Sequence, residues 1–325
     1  MTSSAGLRIG TRGSQLALYQ ARTVAALLRE HHGVACELVI IRTSGDRLAE
    51  ASLSQIGGKR VFVKEIEDAL LAGEVDLAVH SSKDMPVVLP EGLGIGAVLP
   101  REDPRDALVL PGGGESVSFD DVVVRLGREP RIGTSSVRRS AQLVRLFPGG
   151  SFLPIRGNLD TRLRKVDDHG FDAIVLAAAG LRRLEQAHRI STTLPVDACV
   201  PSPGQGIIAI ELRSADTRTR TLLEAINAAD ARAALDAERA VVVRLGGGCQ
   251  MPLGAYAAVA GGMIDIIALV ASLDGARVLR AEARGTVADA AAVGTAAADD
   301  LLQRGAAEIL AEVEAATPAT IEGQP

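Results

Sequence analysis

The sequence predicts an α/β protein in which two similarly built domains are followed by a small α+β domain with a three-stranded antiparallel sheet. The chain has 325 residues, which is more than one hydrophobic core usually holds. Two segments far apart in the chain begin with the same strand, Gly-Thr turn and helix. The C-terminal part instead contains three strand-like runs joined by hairpin signals.

The repeated opening indicates two domains of one architecture. Residues 7–14 and 131–136 each predict a strand and a Gly-Thr turn, after which hydroxyl side chains can cap a helix. Strands that alternate with helices predict largely parallel sheets, whose ligands lie beyond the carboxyl ends of the strands. The predicted helices cover residues 15–30, 63–72, 137–146 and 161–168, and the later strands cover residues 75–79 and 171–176.

Proline-rich segments mark where the chain passes from one domain to another. Residues 100–104 place two prolines around a charged linker, and residues 201–206 form a return crossing. A strand over residues 207–212 can then rejoin the first sheet. The predicted domains are residues 1–101 with 205–224, residues 102–204, and residues 225–325.

The third domain is predicted from a change of pattern. An amphipathic helix over residues 231–243 ends at three glycines, and Gly-Gly and Asp-Gly hairpin signals separate the strand-like runs beyond it. A final alanine-rich helix over residues 288–315 can cover one face of this sheet. The predicted strands are residues 253–260, 263–272 and 278–285.

Composition excludes several classes of protein. A net charge of −5 with 47% hydrophobic residues is typical of a soluble globular protein, and 2% aromatics argue against nucleic-acid binding. We find no secretory signal and no apolar run long enough to span a membrane. Three widely spaced cysteines predict neither a disulfide framework nor a metal site, so we expect reduced thiols and a cytoplasmic location.

The positive charge of the chain is carried mainly by arginine, since only four of the 35 basic residues are lysines. Genomic composition explains scattered arginines. Arginines grouped in loops after strands instead predict an acidic small-molecule ligand, because guanidinium groups bind carboxylates in a bidentate manner. The grouped arginines are Arg12, Arg138, Arg139, Arg156, Arg162, Arg182 and Arg183.

Cys249 is predicted to be a reactive anchor for a covalently held group. A cysteine is about as often a small buried hydrophobe as a functional thiol. Cys249 follows Gly246, Gly247 and Gly248, however, where no side chain shields the sulfur. Cys36 and Cys199 lie among apolar neighbours and are expected to pack in the core.

Lys83 and Asp84 come shortly after a predicted buried strand. A carboxylate beside an ammonium group at a strand end can handle protons or stabilise an iminium ion, but a solvated ion pair is an equally good interpretation. His80 alone is more often a structural histidine. Residues 57–60 lack the spacing of a phosphate-binding loop and indicate a mobile loop in which Lys59 can face a ligand.

Eight segments, in order along nearly the whole chain, resemble the porphobilinogen deaminase (hydroxymethylbilane synthase) family. The final hundred or so residues match less tightly outside the cysteine loop. Many relatives have a lysine where this chain has Gln55, so no function is assigned to that position. The segments are IGTRGSQLALYQA, GGKRVFVKEIEDALL, AVHSSKDMP, RIGTSSVRRSAQL, IRGNLDTRL, LAAAGLRRL, PGQG and LGGGCQMPLGA.

The resemblance implies a transferase of tetrapyrrole (porphyrin and haem) biosynthesis. Four porphobilinogen molecules lose ammonia and condense head to tail, through an azafulvene, on a dipyrromethane cofactor held by a thioether to Cys249. Water then releases hydroxymethylbilane. Asp84 matches the catalytic aspartate, which stabilises positive charge on pyrrole nitrogens and handles protons.

The resemblance also implies roles for the arginines and hydroxyls, because every pyrrole of the substrate carries acetate and propionate groups. Substrate carboxylates are expected at Arg12, Arg156, Arg162 and Arg183. The cofactor is expected at Cys249, Lys83, Ser14, Thr134, Ser136, Arg138 and Arg139.

The implied fold is two domains like type II periplasmic binding proteins, with mixed sheets, plus the small third domain. A monomer without metal, membrane or nucleic-acid partners is expected. The main alternative is a non-catalytic two-lobed protein that binds a carboxylate ligand and needs no cysteine. A cysteine-nucleophile hydrolase or transferase is less favoured, because no histidine lies in a recognisable catalytic motif.

Overall fold

The computed structural model describes residues 6–47, 63–113, 117–247 and 251–316, and these residues form two compact units. Unit 1 comprises the described residues of 6–101 together with Ile207–Arg232. Unit 2 comprises the described residues of 102–206 and of 233–316. The division into three domains remains a prediction.

Thirteen strands lie within the described ranges. They are β1 (Leu7–Thr11), β2 (Cys36–Ile40), β3 (Leu77–Ser81), β4 (Leu93–Val98), β5 (Asp106–Val109), β6 (Arg131–Gly133), β7 (Ser151–Leu153), β8 (Ala173–Ala177), β9 (Thr192–Thr193), β10 (Ile208–Arg213), β11 (Leu253–Ala260), β12 (Met263–Ala271) and β13 (Val278–Thr286).

Eleven α-helices occur in the same described ranges, and none of them is long and apolar enough to cross a membrane. They are α1 (Gln15–His32), α2 (Ser44–Arg47), α3 (Lys64–Leu71), α4 (Phe119–Leu126), α5 (Val137–Leu143), α6 (Leu159–Asp167), α7 (Ala178–Arg183), α8 (Thr217–Glu224), α9 (Ala229–Leu245), α10 (Ala290–Gln303) and α11 (Ala306–Ala316).

The two large sheets have the same strand order. The sheet of unit 1 runs β2-β1-β3-β10-β4, and the corresponding sheet of unit 2 runs β7-β6-β8-β5-β9. In each sheet, the first three strands in this order are parallel. The fourth strand, which is β10 in unit 1 and β5 in unit 2, runs antiparallel to the third. Both sheets are mixed, as predicted, and the predicted return of residues 207–212 to the first sheet is confirmed by β10.

An ion pair is repeated at the same place in both large sheets. The Asp76 carboxylate lies 2.9 Å from Nη2 of Arg8 and accepts a hydrogen bond from its backbone N–H. Asp172 makes the same two contacts with Arg131, at 2.9 Å for the side chains. Each pair joins the start of the first strand to the turn before the third strand, so the duplication extends to individual side chains.

The hydrophobic cores lie between the sheets and their helices. In unit 1, helix α1 buries Ala21, Val24 and Leu28, which recur at helical spacing, against the sheet. In unit 2, one core includes Phe147 on one face of the sheet, and a second includes Leu181 on the other. Both faces of each large sheet are therefore covered.

The third sheet is antiparallel, with order β11-β12-β13, as the hairpin signals predicted. Helix α10 packs on β12 and β13, whereas the expected single C-terminal helix is two helices. Gly305 has a φ of +93° at the break, a conformation that ends a helix and that glycine adopts without strain. The small sheet and its helices confirm the predicted α+β character.

Candidate active site

In unit 1, four predicted site residues lie at one edge of the sheet. β1 and β3 are neighbouring parallel strands, so their carboxyl ends share an edge. Arg12 and Ser14 follow β1, and Lys83 and Asp84 follow β3. The first three side chains are half-buried and Asp84 is exposed, so the Asp84 carboxylate is accessible to a ligand.

Helix α1 is tied to this edge by side-chain hydrogen bonds. Ser14 is the N-cap of α1, and its Oγ accepts a hydrogen bond of 3.3 Å from the N–H of Ala17. Further along the helix Gln20, which is 2% exposed, donates through Nε2 to Oγ of Ser81 at 2.8 Å. The helix therefore fixes the end of β3, just before Lys83 and Asp84.

Asp84 ends a short 3₁₀ turn, Ser82–Asp84, that is fixed on both sides. The N–H of Ser82 donates to the carbonyl of Ile207 at 3.0 Å, and the N–H of Met85 donates back to the carbonyl of Ser82 at 3.2 Å. Met85 is buried beneath the turn. The turn is anchored by its ends while Asp84 itself faces solvent.

In unit 2, a buried carboxylate binds two of the predicted arginines. Asp106 opens β5 opposite Ala177, at the carboxyl end of β8. Its Oδ1 accepts hydrogen bonds from Nε and Nη2 of Arg139 at 3.1 and 2.7 Å, and its Oδ2 lies 2.8 Å from Nη2 of Arg138. Gln205 Nε2 donates to the same carboxylate at 2.9 Å. Asp106 is completely buried, and neither arginine is more than a tenth exposed.

The electrostatics of this cluster follow from burial and pairing. Burial by itself raises the pKa of Asp106, but Arg138 and Arg139 outweigh that effect and hold the pKa well below its usual range. Burial raises the pKa of Cys199 to about 12, so its thiol is protonated at neutral pH and donates to Asp106 at 3.5 Å. Cys199 is thus part of a charged cluster, whereas the sequence had suggested purely apolar neighbours.

A further nitrogen of each arginine donates to a backbone carbonyl. Arg138 Nη1 donates to the carbonyl of Val200 at 2.7 Å, and Arg139 Nη1 donates to the carbonyl of Val175 at 2.9 Å. A cofactor carboxylate at these guanidinium groups would share them with Asp106. That Arg138 and Arg139 bind the cofactor remains a prediction.

The predicted hydroxyls shape the start of helix α5. Ser136 is its N-cap, and Oγ accepts a hydrogen bond from the N–H of Arg139 at 3.4 Å. Thr134, which is buried, accepts from the N–H of Ser136 at 3.2 Å. These contacts hold the loop after β6, from which Arg138 and Arg139 emerge.

Three more predicted arginines lie in unit 2, in the loop or helix that follows a strand, and all are half-buried. Arg156 follows β7, Arg162 lies in α6, and Arg183 ends α7. Arg162 Nε donates to the carbonyl of Gly157 at 2.8 Å, and Arg183 Nη2 donates to the carbonyl of Gly206 at 2.6 Å. The loops are held by these bonds, and the roles of the arginines in substrate binding remain predictions.

Cys249 lies outside the described residues, as do Gln55 and Lys59. The elements on both sides of its loop are α9 and β11, and both are tied to the crossing segment. Glu238 of α9 is completely buried, and its carboxylate accepts from the N–H of Gly204 at 2.6 Å and from that of Ala257 at 2.8 Å. One side chain thus joins the crossing segment, α9 and β11.

Sequence reasoning did not identify Asp106 or Glu238 as residues that hold the site together. Each is an acidic residue at a buried position, beside an apolar strand or within an amphipathic helix. Asp106 could have been noticed from its position immediately before the apolar run 107–110. A carboxylate that is buried with such a strand needs buried partners.

Comparison with known protein families shows to which family the chain belongs. Residues 7–221 match the family model described as porphobilinogen deaminase, dipyrromethane cofactor binding domain, and residues 233–303 match porphobilinogen deaminase, C-terminal domain. The chain belongs to the porphobilinogen deaminase family.

Three curated porphobilinogen deaminases illustrate how closely the family matches. The protein of Syntrophotalea carbinolica is 49% identical over 313 residues, covering 96% of this chain and 97% of that protein. The Geobacter metallireducens protein is 46% identical over 308 residues, with 94% of each chain covered. The Moorella thermoacetica protein is 46% identical over 310 residues, with 95% and 97% covered.

Solved structures give a much looser likeness. The VFT2 domain of Bordetella pertussis BvgS is 15% identical with a TM-score of 0.40, covering 68% of this chain and 85% of that one. An ancestral cationic amino acid solute binding protein is 15% identical with a TM-score of 0.41, covering 68% and 88%. Likenesses of this size do not bear on the function of this chain.

The residues at the sheet edge of unit 2 fit a cofactor that carries carboxylates. Arg156, Arg162 and Arg183 supply guanidinium groups, and the N–H groups at the start of α5 add partial positive charge. The buried Asp106 neutralises part of the charge of Arg138 and Arg139, which leaves a net positive cluster. The chemistry of this donor set suits acetate and propionate groups.

Proposed function

We propose that this chain is the transferase that condenses four porphobilinogen molecules head to tail, with loss of ammonia, and releases hydroxymethylbilane by hydrolysis. The observation that carries this proposal is the match of the family models to residues 7–221 and 233–303. The reaction belongs to tetrapyrrole biosynthesis, with porphobilinogen as substrate and dipyrromethane as cofactor.

Cys249 is the residue that holds the cofactor, through a thioether. When bound, the dipyrromethane supplies the free pyrrole position at which the chain is lengthened. The three glycines before Cys249 leave its sulfur unshielded, which supports this role. Cys36 is half-buried and Cys199 is buried beside Asp106, so neither is as suitable an anchor.

Asp84 is the residue that acts on the reacting pyrrole. Its exposed carboxylate, fixed at the end of β3, can stabilise positive charge on a pyrrole nitrogen as ammonia leaves. The same carboxylate can accept and return a proton during bond formation. Lys83, beside it in the turn, is positioned to bind a carboxylate.

The arginines hold the side chains of the pyrroles. Arg12, Arg156, Arg162 and Arg183 bind substrate carboxylates in this proposal. Cofactor carboxylates are assigned to the group at the start of α5 and to two residues of unit 1. That set is Thr134, Ser136, Arg138, Arg139, Ser14 and Lys83.

A non-catalytic carboxylate-binding protein is the less favoured function, because family membership brings a dipyrromethane cofactor domain that such a protein would not need. We further propose that the enzyme works as a monomer in the cytoplasm and requires no metal. Size-exclusion chromatography with light scattering tests the monomer, and activity after exhaustive chelation tests the metal requirement.

The proposal is tested by turnover of porphobilinogen by the purified full chain. We expect about four molecules of ammonia for each hydroxymethylbilane, and an intact mass that includes two pyrrole units on Cys249. Cys249→Ser is expected to lose both the adduct and turnover, whereas the matched Cys36→Ser variant keeps both. A wild-type protein without turnover, or an active protein with unmodified Cys249, contradicts the proposal.

A further inference from the structure

A buried acid–histidine pair lies directly behind the turn that carries Asp84. His80 Nε2 is 3.2 Å from Oε2 of Glu211, and the two side chains are 3% and 0% exposed. Within the described part of the chain, neither Glu211 oxygen accepts a hydrogen bond. A buried carboxylate with so few partners costs stability, so its presence needs an explanation.

The pair joins the third strand of unit 1 to the returning strand. In the ladder between β3 and β10, His80 lies opposite Ala209 and Glu211 lies opposite Ala78. The two side chains are therefore diagonal neighbours on one face of the sheet. This is the face that α3 covers, because Ala78 packs with Ile66 and Leu70 of that helix.

Helix α3 also carries a buried acidic residue on its packed side. Glu67 is 0% exposed and belongs to the same turn of α3 as Ile66. The core between α3 and the sheet thus contains two acidic side chains and one imidazole among aliphatic side chains. The duplicated sheet of unit 2 shows whether the fold itself requires such polar residues.

The corresponding positions in unit 2 are aliphatic. Ser81 pairs with Ile208 at the edge of the first sheet, and Ala177 pairs with Asp106 at the edge of the second. Counting along the strands from these pairs, His80 corresponds to Leu176, and Glu211 corresponds to Val109. Leu176 and Val109 are 3% and 0% exposed and lie in one core cluster.

The same fold is therefore built without the polar pair, and the two sheets differ in the element that comes after the third strand. Helix α7 comes after β8, whereas the Ser82–Asp84 turn comes after β3. We propose that His80 and Glu211 are positioning residues that fix this turn, and with it Asp84, for the condensation reaction. This inference rests on the proposed function.

The pair can act on the turn through the backbone. His80 lies two residues before Ser82, whose N–H is bonded to Ile207, immediately before β10. Contact between His80 and Glu211 adds a directional link between the same two strands, one that aliphatic side chains do not provide. A catalytic group displaced by about 1 Å can lose roughly 100-fold in rate, so a small loosening of the turn is costly.

The decisive variant exchanges the pair for its counterpart in unit 2. His80→Leu with Glu211→Val replaces a buried polar pair by aliphatic side chains, so the melting temperature is expected at or above that of wild type. Turnover per loaded Cys249, counted by intact mass, is expected to fall at least about tenfold, with KM within about twofold. A purely structural pair would instead lower the melting temperature and leave kcat unchanged.

Three further variants complete the test. His80→Gln keeps an N–H that can point toward Glu211 and is expected to restore at least about half of the wild-type kcat. The matched control, Leu176→Met with Val109→Ile, alters the corresponding pair of unit 2 and should leave kcat unchanged. If the exchanged variant does not fold, Glu211→Gln tests the positioning role instead. We expect this substitution to lower kcat by at least about threefold.

The outcomes separate the two proposals. An active wild type whose exchanged variant keeps kcat within about twofold overturns the positioning role alone. Failure of His80→Gln to restore turnover also overturns it, because the polar contact with Glu211 would then not be the active feature. A wild type that releases no ammonia from porphobilinogen overturns the proposed function, and the positioning role with it.

Discussion

Asp106 accepts hydrogen bonds from Nε and Nη2 of Arg139, at 3.1 and 2.7 Å, in a cluster from which solvent is almost excluded. Arg138 approaches the other oxygen of the same carboxylate. One buried acid thus balances part of the charge of two arginines and orients both. The stability of unit 2 is therefore expected to depend on Asp106.

Asp106→Ala is expected to destabilise the protein by about 3–5 kcal/mol, because it leaves two buried guanidinium groups without their carboxylate. Urea unfolding followed by far-ultraviolet circular dichroism measures the change in the free energy of unfolding. The control is Asp172→Ala, which removes an exposed ion pair with Arg131 and should cost no more than about 1 kcal/mol. Equal losses in the two variants would contradict the buried role of Asp106.

The same residue makes stability depend on pH. The folded pKa of Asp106 lies below its unfolded value, so its contribution is present above the unfolded pKa of about 3.9 and is lost as pH falls toward the folded value. Wild type should lose up to about 1.4 kcal/mol per pH unit, relative to Asp106→Ala, below about pH 4. Parallel stability curves for the two proteins from about pH 6 to about pH 3 would be inconsistent with this pairing.

Asp84→Ala is expected to lower turnover by at least about 100-fold while the protein stays folded, because the side chain is exposed and the turn is held by its neighbours. Ammonia release and the melting temperature are the two measurements. Asp68→Ala, which removes an exposed carboxylate from α3, serves as the control and should keep full turnover. Near-normal product formation by Asp84→Ala would exclude the proposed role of Asp84.

The three cysteines should differ in whether they react with iodoacetamide. The pKa of Cys199 is raised by burial to about 12, so its thiol is almost wholly protonated at pH 8 and should stay unmodified in the native protein. Burial also raises the pKa of the half-buried Cys36, which should react slowly. After unfolding, peptide mapping should find Cys36 and Cys199 alkylated and Cys249 protected by its thioether. Rapid native labelling of Cys199 would show that its cluster is open.

Local patterns predicted the repeated strand, turn and helix well. The strand, Gly-Thr turn and capped helix recur at β1 and β6, and the hairpin signals correctly placed the third sheet. Such features depend on neighbouring residues and on side-chain periodicity, which one sequence displays directly. The single C-terminal helix was wrong because alanine-rich periodicity continues across Gly305, where the backbone adopts a positive φ.

Side-chain contacts between distant parts of the chain were much harder to predict from the sequence. Asp106 meets Gln205 across 99 residues and Arg139 across 33, and nothing in the spacing of these residues indicates that they meet. His80 looked like an ordinary structural histidine until the ladder between β3 and β10 placed Glu211 beside it. Register and burial are set by the whole sheet, so these contacts could not be predicted one segment at a time.

The sequence by itself determined the family, the repeated α/β pattern and the positions of Cys249 and Asp84 in their motifs, because motif identity and periodicity are local properties. Only the tertiary structure decided which arginines share a buried carboxylate and which histidine contacts a buried acid. The physical reason is that desolvation and charge pairing depend on neighbours that folding brings together from distant parts of the chain.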